Sequence, residues 1–247
     1  MRWLAALIWL LSCPALAQEL SETRELIGSI GGRAALLHLY TTSLPDGTLR
    51  VTGDYLVLPT MQQRYLEGER SKQLGVTTLK EGTTPILYGR PATATLQGTW
   101  SGGAFKGGRF GPEGQQRERF DFSETFPSMD GYSASVRCEL AEGRYASTLA
   151  YAVENGKLKS LDWRSKVAPG DFPCTLGGPE RSLEQQPYGG GLRFAAGGCS
   201  VTLRDLGEYV RVTAENCAAM CSAQAYLEPV LVDHRGNCQL LRPQTAR

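Results

Sequence analysis

The stretch "CSVTLRDLGEYVRVTAENCAAMC", residues 199–221, decides the fold class. Val201 and Leu203 alternate with polar residues, Leu206-Gly207 breaks the run, and Tyr209, Val210 and Val212 resume it. That is the pattern of two strands joined by a tight turn. The three cysteines admit a metal, a redox or a structural reading. Cys217 and Cys221 have the spacing of a zinc knuckle, but no second clustered pair exists: Cys199 stands alone and Cys238 lies far downstream. "CAAMC" is not the Cys-x-x-Cys of a thiol-exchange site, and no βαβ pattern precedes it. The cysteines therefore read as structural cystines, and the Ala-rich "ENCAAMCSAQA" as a turn of helix or a compact loop.

The other cysteines extend this reading. Apart from Cys13, every cysteine lies between Cys138 and Cys238: Cys138, Cys174, Cys199, Cys217, Cys221 and Cys238. An even set in an exported chain reads as a disulfide framework. Sequence does not choose among the pairings. The hairpin favours Cys199–Cys217, which leaves Cys221–Cys238 to clip the last strands and Cys138–Cys174 to anchor the segment after residue 166. Export is read from residues 1–17, "MRWLAALIWLLSCPALA", a basic start, an apolar run and an Ala15-Leu16-Ala17 cleavage signal. "LLSC" also resembles a lipobox with Cys13 as the lipidated residue. Leu11 is bulky for that motif and Pro14 would follow the modified cysteine, so a periplasmic or secreted protein cleaved after Ala17 is expected, with the lipoprotein as the alternative. No later apolar run is long enough for a transmembrane helix.

The rest of the chain is punctuated by Gly, Pro and Asp into short alternating runs, and none has a sustained 3.6-residue period. "RAALLHLY", "LRVTGDYLVL", "RYLEGE", "GVTTLKEG", "TATLQGTW", "GAFKGGRF" and "RERFDF" predict an antiparallel meander of about seven strands in residues 22–126. Its core would draw on Leu37, Leu39, Tyr55, Val57, Tyr65, Leu79, Leu96, Trp100, Phe105, Phe110, Phe120 and Phe122, with Gly98, Gly107 and Gly108 at bulges or sharp coils. "FPSMDGYS" is a junction. A second β domain, residues 130–245, follows, with a hairpin at Asn155-Gly156 and a polar loop over residues 166–190. The expectation is an all-β protein of antiparallel meanders, two small barrel- or sandwich-like lobes with the C-terminal one stapled by disulfides.

Catalytic material is sparse. His38 and His234 are the two histidines of the chain; His38 is read as a solvent-side strand residue and His234 as a turn residue, and no Gly-x-Ser-x-Gly elbow is present. Charge is balanced, with 26 Lys and Arg against 25 Asp and Glu, which offers no electrostatic case for nucleic acid. No metal site or cofactor is expected. Binding candidates come from "FKGGRFGPEGQQRERF", residues 105–120, where Phe105, Arg109 and Phe110 flank a flexible tip. Tyr188 lies on a second, mobile rim.

Gly28-Ser29-Ile30-Gly31, "ALLHLY", Gly53-Asp54-Tyr55, Leu66-Glu67-Gly68, "TTLKEG" and Gly98-Thr99-Trp100 followed by "RERFDF" together resemble a widespread bacterial secreted β-meander module. The resemblance covers about 100 residues and implies an envelope protein without known chemistry. Residues 197–226 resemble a second exported element, a Cys-led hairpin with a following cysteine and a Tyr-bearing strand, mapping to Cys199, Cys217 and Tyr226; Cys221 departs from it. A fainter resemblance is to periplasmic lysozyme inhibitors, whose Ser-Gly-x-x-Tyr loop enters the enzyme cleft beside a Lys-Gly loop. Here Ser222 and Tyr226 keep the spacing, Ala223 replaces the glycine, and Arg235-Gly236 replaces Lys-Gly.

The function expected from these readings is a non-catalytic exported binding or structural protein of the cell envelope, with a protein or wall polymer as partner. Inhibition of a lysozyme-like wall hydrolase is the alternative.

Overall fold

The computed structural model describes residues 21–71, 75–85, 91–170, 172–177, 184–186, 188–196, 198–222 and 224–243. Residues 1–17, read as a leader, with Cys13, and Ala223 lie outside them. The fold is all-β and antiparallel. Strands β1 (Ser21–Ile30), β2 (Arg33–Ser43), β3 (Leu49–Val57), β4 (Gln62–Arg70), β5 (Val76–Gly82), β6 (Ala94–Ser101), β7 (Ala104–Phe110) and β8 (Gln116–Ser123) form a closed barrel in sequence order. The strand not anticipated is β1. Gly28 interrupts its apolar pattern, and its role is closure: Ile27–Ile30 pair with β2 on one side and with Phe120–Ser123 of β8 on the other.

An eight-stranded barrel is just wide enough for side chains to fill it. Leu26, Leu37, Leu39, Tyr55, Leu79, Leu96, Phe105, Phe120 and Phe122 do so, with Trp100 stacked on Phe105 at 4.9 Å between centroids. Gly98 makes room for these rings, since a Cβ there would stand 2.7 Å from Phe120 Cζ and 2.9 Å from Phe105 Cε2. The one irregularity of β7 is a register shift at Arg109/Phe110. Of the expected core, Tyr65, Trp100 and Phe110 are only partly buried. Thr78, Lys80, Gln97, Lys106 and Asp121 point outward and are exposed. An apolar interior with a polar exterior is the reverse of a lipid-facing barrel, and among the described residues no helix is long and apolar enough to cross a membrane.

The second half consists of two sheets. The outer sheet has the order β12-β11-β10-β9, from β9 (Ala134–Glu142), β10 (Tyr145–Glu154), β11 (Lys157–Val167) and β12 (Phe172–Gly177). The middle sheet runs β13 (Glu184–Gln186), β14 (Gly191–Ala196), β15 (Cys199–Asp205), β16 (Tyr209–Glu215), β17 (Val230–Asp233) and β18 (Cys238–Leu240). Both tight turns fall where expected, with Asn155 and Gly156 at φ 49° and 70°, and Gly207 at φ 90°. The residues after Cys217 form one 3-10 turn, Ala218–Met220. Among the described residues of the expected loop over 166–190, Phe172–Gly177 and Glu184–Gln186 are strands. One apolar cluster, including Tyr151, Trp163, Leu176, Phe194, Val201, Leu203 and Val212, joins the two sheets.

The opposite face of the middle sheet is also covered. Leu206 and Leu231 pack with Ile27, Leu36, Leu56, Leu58 and Met61 of the barrel wall and its following turn. The layers therefore run barrel, middle sheet, outer sheet.

The disulfides are Cys138–Cys238, Cys174–Cys221 and Cys199–Cys217. The hairpin pair is as expected; the other two correct the expectation. Cys138 on β9 and Cys174 on β12 occupy opposite edges of a four-stranded sheet, three strand spacings or about 14 Å apart, beyond the reach of a cystine. Cys138 is bonded across the sandwich to Cys238 on β18, the edge strand of the middle sheet, and Cys174 to Cys221, which follows the 3-10 turn and forms an isolated β-bridge beside β12. The two edges are thereby stapled, closing segments of 100 and 47 residues.

Candidate functional site

Strand β10 determines the open face of the outer sheet. Tyr145, Ser147, Leu149, Tyr151 and Val153 point into the sandwich, which leaves Ala146, Thr148, Ala150 and Ala152 on the other side. Alternate residues of a strand share a face, so these four small side chains form a floor about 20 Å long. The neighbouring strands bear longer groups at the same levels. Glu139, Thr148, Arg164 and Thr175 make one cross-strand row, and Ala141, Ala146, Lys166 and Pro173 the next. Arg137 and Asp162 flank Ala150 in a third row.

The result is a trough with walls of Arg137 and Glu139 on one side and of Asp162, Arg164 and Lys166 on the other. A depression of about 500 Å³ lies over Ala141, Ala146, Thr148, Lys166 and Thr175. Arg164 Nε donates to Asp162 at 2.8 Å; Arg137, Glu139 and Lys166 are exposed. Arg, Lys, Glu and Thr side chains present both donors and acceptors, so the trough suits a polar chain. It was legible in "YASTLAYAVE" as a period-two stripe of small residues, which reads as a strand without revealing that its small side stays uncovered.

The nominated residues fall elsewhere. Phe105 is fully buried in the barrel, so its reading as a contact residue is corrected: it faces inward because its strand alternates with exposed Lys106. Arg109 also points inward and is bound to Glu81, through Nε at 2.7 Å and Nη2 at 2.8 Å. Tyr55 adds a hydrogen bond to the same carboxylate at 2.8 Å. Glu81 is fully buried, and although burial raises a carboxyl pKa, the hydrogen bonds from Arg109 and Tyr55 outweigh it and hold the group below its ordinary value. Phe110 lines a separate groove of about 480 Å³ with Ala92, Thr95, Gln97 and Pro112.

Ser222, Tyr226 and Arg235 do not assemble into one projecting loop. The segment after Cys221 is fastened along the sandwich end: Ser222 N–H donates to Pro173 O, Ser165 Oγ to Tyr226 O, and Glu228 N–H to Tyr145 Oη. Ser222 Oγ is enclosed. Tyr226 is exposed but stacks on Tyr145, 5.4 Å between centroids. Arg235 sits in the exposed β17–β18 turn, past the far end of β17 from Tyr226. Tyr188 is likewise not on a free rim, since its hydroxyl bonds Arg204, whose guanidinium lies between the rings of Phe126 (4.2 Å) and Tyr188 (4.6 Å).

His38 points out of the barrel, opposite Leu37 and Leu39 as expected, but its wall of β2 faces the middle sheet, so the side chain is only about 33% exposed. It forms ion pairs at 3.8 Å with Glu25 and with Asp54, while Glu25 also takes Arg204 at 2.9 Å and Arg211. Burial opposes both charges. The carboxylates nevertheless push His38 up to about 9, and His38, Arg211 and Arg204 hold Glu25 down to about 2. His234 is exposed, with Nε2 2.7 Å from Gly207 O.

Among the described residues no group of three or more His, Cys, Asp and Glu is arranged to hold a metal ion. No protein-family model matches the chain, and no curated protein matches it in sequence.

Proposed function

We propose that this chain is an exported, non-catalytic binding protein of the cell envelope, and that an extended wall polymer lies in the trough along β10. The uncovered row Ala146, Thr148, Ala150 and Ala152 between charged walls carries the reading. Protein interfaces concentrate their binding energy in buried aromatic, Arg and large apolar anchors. This face has a floor without any ring or branched aliphatic side chain, and its walls mix Arg and Lys with Glu and Asp. That composition favours a polymer bearing hydroxyl, carboxylate and amide groups over a second globular protein. The three cystines suit an oxidising compartment, as do the leader and the resemblance of the barrel sequence to secreted modules.

The test is co-sedimentation of the oxidised protein with purified wall polymer. Saturable binding is expected. Ala150→Trp, which fills the trough from an exposed-side position, should weaken it by about tenfold or more, the loss of one or two good contacts. Unchanged binding by that variant, or capture of one stoichiometric protein from envelope extract with no polymer binding, would replace this reading.

A further inference from the structure

We propose that the junction of the middle sheet with the barrel binds a small tetrahedral oxyanion, phosphate or sulfate in class, on Arg193, Thr202 and Arg204. Register places these three residues together. Arg193 on β14 is paired with Thr202 on β15, and Arg204 follows two residues later on the same face. That face turns away from the sandwich core, where Val201 and Leu203 point. Thr202 is 3% exposed, and its Oγ1 has no hydrogen-bond partner. Arg193 Nε and Arg204 Nε are also enclosed without partners, so three of the five such atoms among the described residues belong to one contiguous patch.

Their remaining contacts aim them rather than satisfy them. Arg193 Nη2 donates to Ser200 Oγ at 3.2 Å. Arg204 is gripped between Phe126 and Tyr188 and by Glu25. Buried polar atoms without hydrogen bonds are costly, so a missing partner is expected here.

Charge decides between a water and an anion. Arg193 and Arg204 stand at the patch, and Glu25 links Arg204 to Arg211 and to His38, the last held protonated by Asp54 and Glu25. The carboxylates that face them are Glu25 and Asp54. Glu184 and Glu215 lie on the same face of the sheet but are exposed, and neither forms an ion pair with Arg193. Two positive charges are left over. A water molecule could accept both N–H bonds and donate to Thr202 Oγ1, but it would leave that excess charge in place. A tetrahedral oxyanion offers acceptor oxygens to all three groups and neutralises the excess through charge-assisted bonds. The sequence hides the site because Arg193, Thr202, Arg204 and Arg211 are the polar members of alternating strands, which ordinarily face solvent.

The test uses the full oxidised chain and inorganic phosphate, followed by the ³¹P linewidth as protein is titrated, with sulfate as competitor and chloride holding ionic strength. Saturable broadening that sulfate reverses is expected. Arg193→Gln should raise the apparent Kd at least about tenfold, the equivalent of one charge-assisted hydrogen bond. Thr202→Val keeps the shape of the side chain while removing its hydroxyl, so it should weaken phosphate without unfolding the sheet, and it serves if Arg193→Gln does not fold. Absence of saturable broadening, or equal affinity in wild type and Thr202→Val, would show that water alone solvates these donors and would overturn the proposal. Neither result depends on whether a polymer occupies the β10 trough.

Discussion

The Glu81–Arg109 pair inside the barrel permits a quantitative test of the fold. Glu81 is fully buried and receives Arg109 bidentately and the Tyr55 hydroxyl, while Arg109 retains slight exposure and a second partner, Glu118, at 3.0 Å. Glu81→Leu removes the acceptor and leaves the guanidinium and the hydroxyl facing an apolar wall. Breaking a buried pair from one side costs about 3–5 kcal/mol. The solvent access of Arg109 and its bond to Glu118 place this case near the lower limit, about 3 kcal/mol. Arg109→Met alone leaves the more deeply buried partner with Tyr55, Thr93 and, at 3.8 Å, Arg64, so it should cost about as much. The double variant removes both charges, so its loss should fall short of the sum of the single losses by about 2 kcal/mol or more. The assay is urea unfolding with 5-fluorotryptophan, because Trp100 reports on the barrel and Trp163 on the sandwich. Additivity within about 0.5 kcal/mol, the behaviour of independent sites, would refute the buried pair and with it the inward orientation of Arg109.

Three further outcomes are expected. His38 gains its protonated form from Glu25 and Asp54, so its contribution is complete below its unfolded pKa near 6.5 and is lost as pH rises toward about 9; stability should decline across that window in the wild type and less in His38→Gln, by urea midpoints at each pH. Glu25 acts in the opposite sense, contributing above its unfolded value near 4.5 and losing that contribution as pH falls toward about 2; Glu25→Gln should flatten the acid limb of the same profile. Removing one edge staple with Cys174→Ser/Cys221→Ser should cost about 3–4 kcal/mol by loop entropy, seen at the Trp163 resonance and not at Trp100; equal loss at both would mean that barrel and sandwich unfold as one unit.

How far the sequence led depended on what each strand was asked to reveal. Alternation identified most of the inward set from Leu37 to Phe122, with Tyr65 and Phe110 as exceptions, and Asn155-Gly156 and Leu206-Gly207 located their turns, because those signals are local. The cystine connectivity was not local. It depends on β9 and β12 lying at opposite edges of a sheet, which no spacing between Cys138 and Cys174 encodes. Polar residues misled in two ways. Arg109 and His38 read as exposed, yet one is drawn into the barrel by Glu81 and the other is partly covered by the middle sheet and paired with Glu25 and Asp54. The trough had the converse problem: Ala146, Thr148, Ala150 and Ala152 show a strand face without showing whether anything packs on it.

The claim at the centre is that the outer sheet is the working face, and lysine acetylation with and without bound wall polymer tests it directly. Lys166 stands on the trough wall, whereas Lys80 and Lys106 are exposed on the barrel. Protection of Lys166, with Lys80 and Lys106 modified as fast as in the free protein, is the predicted result. Protection of the barrel lysines while Lys166 reacts unchanged would place the binding surface elsewhere and contradict the account.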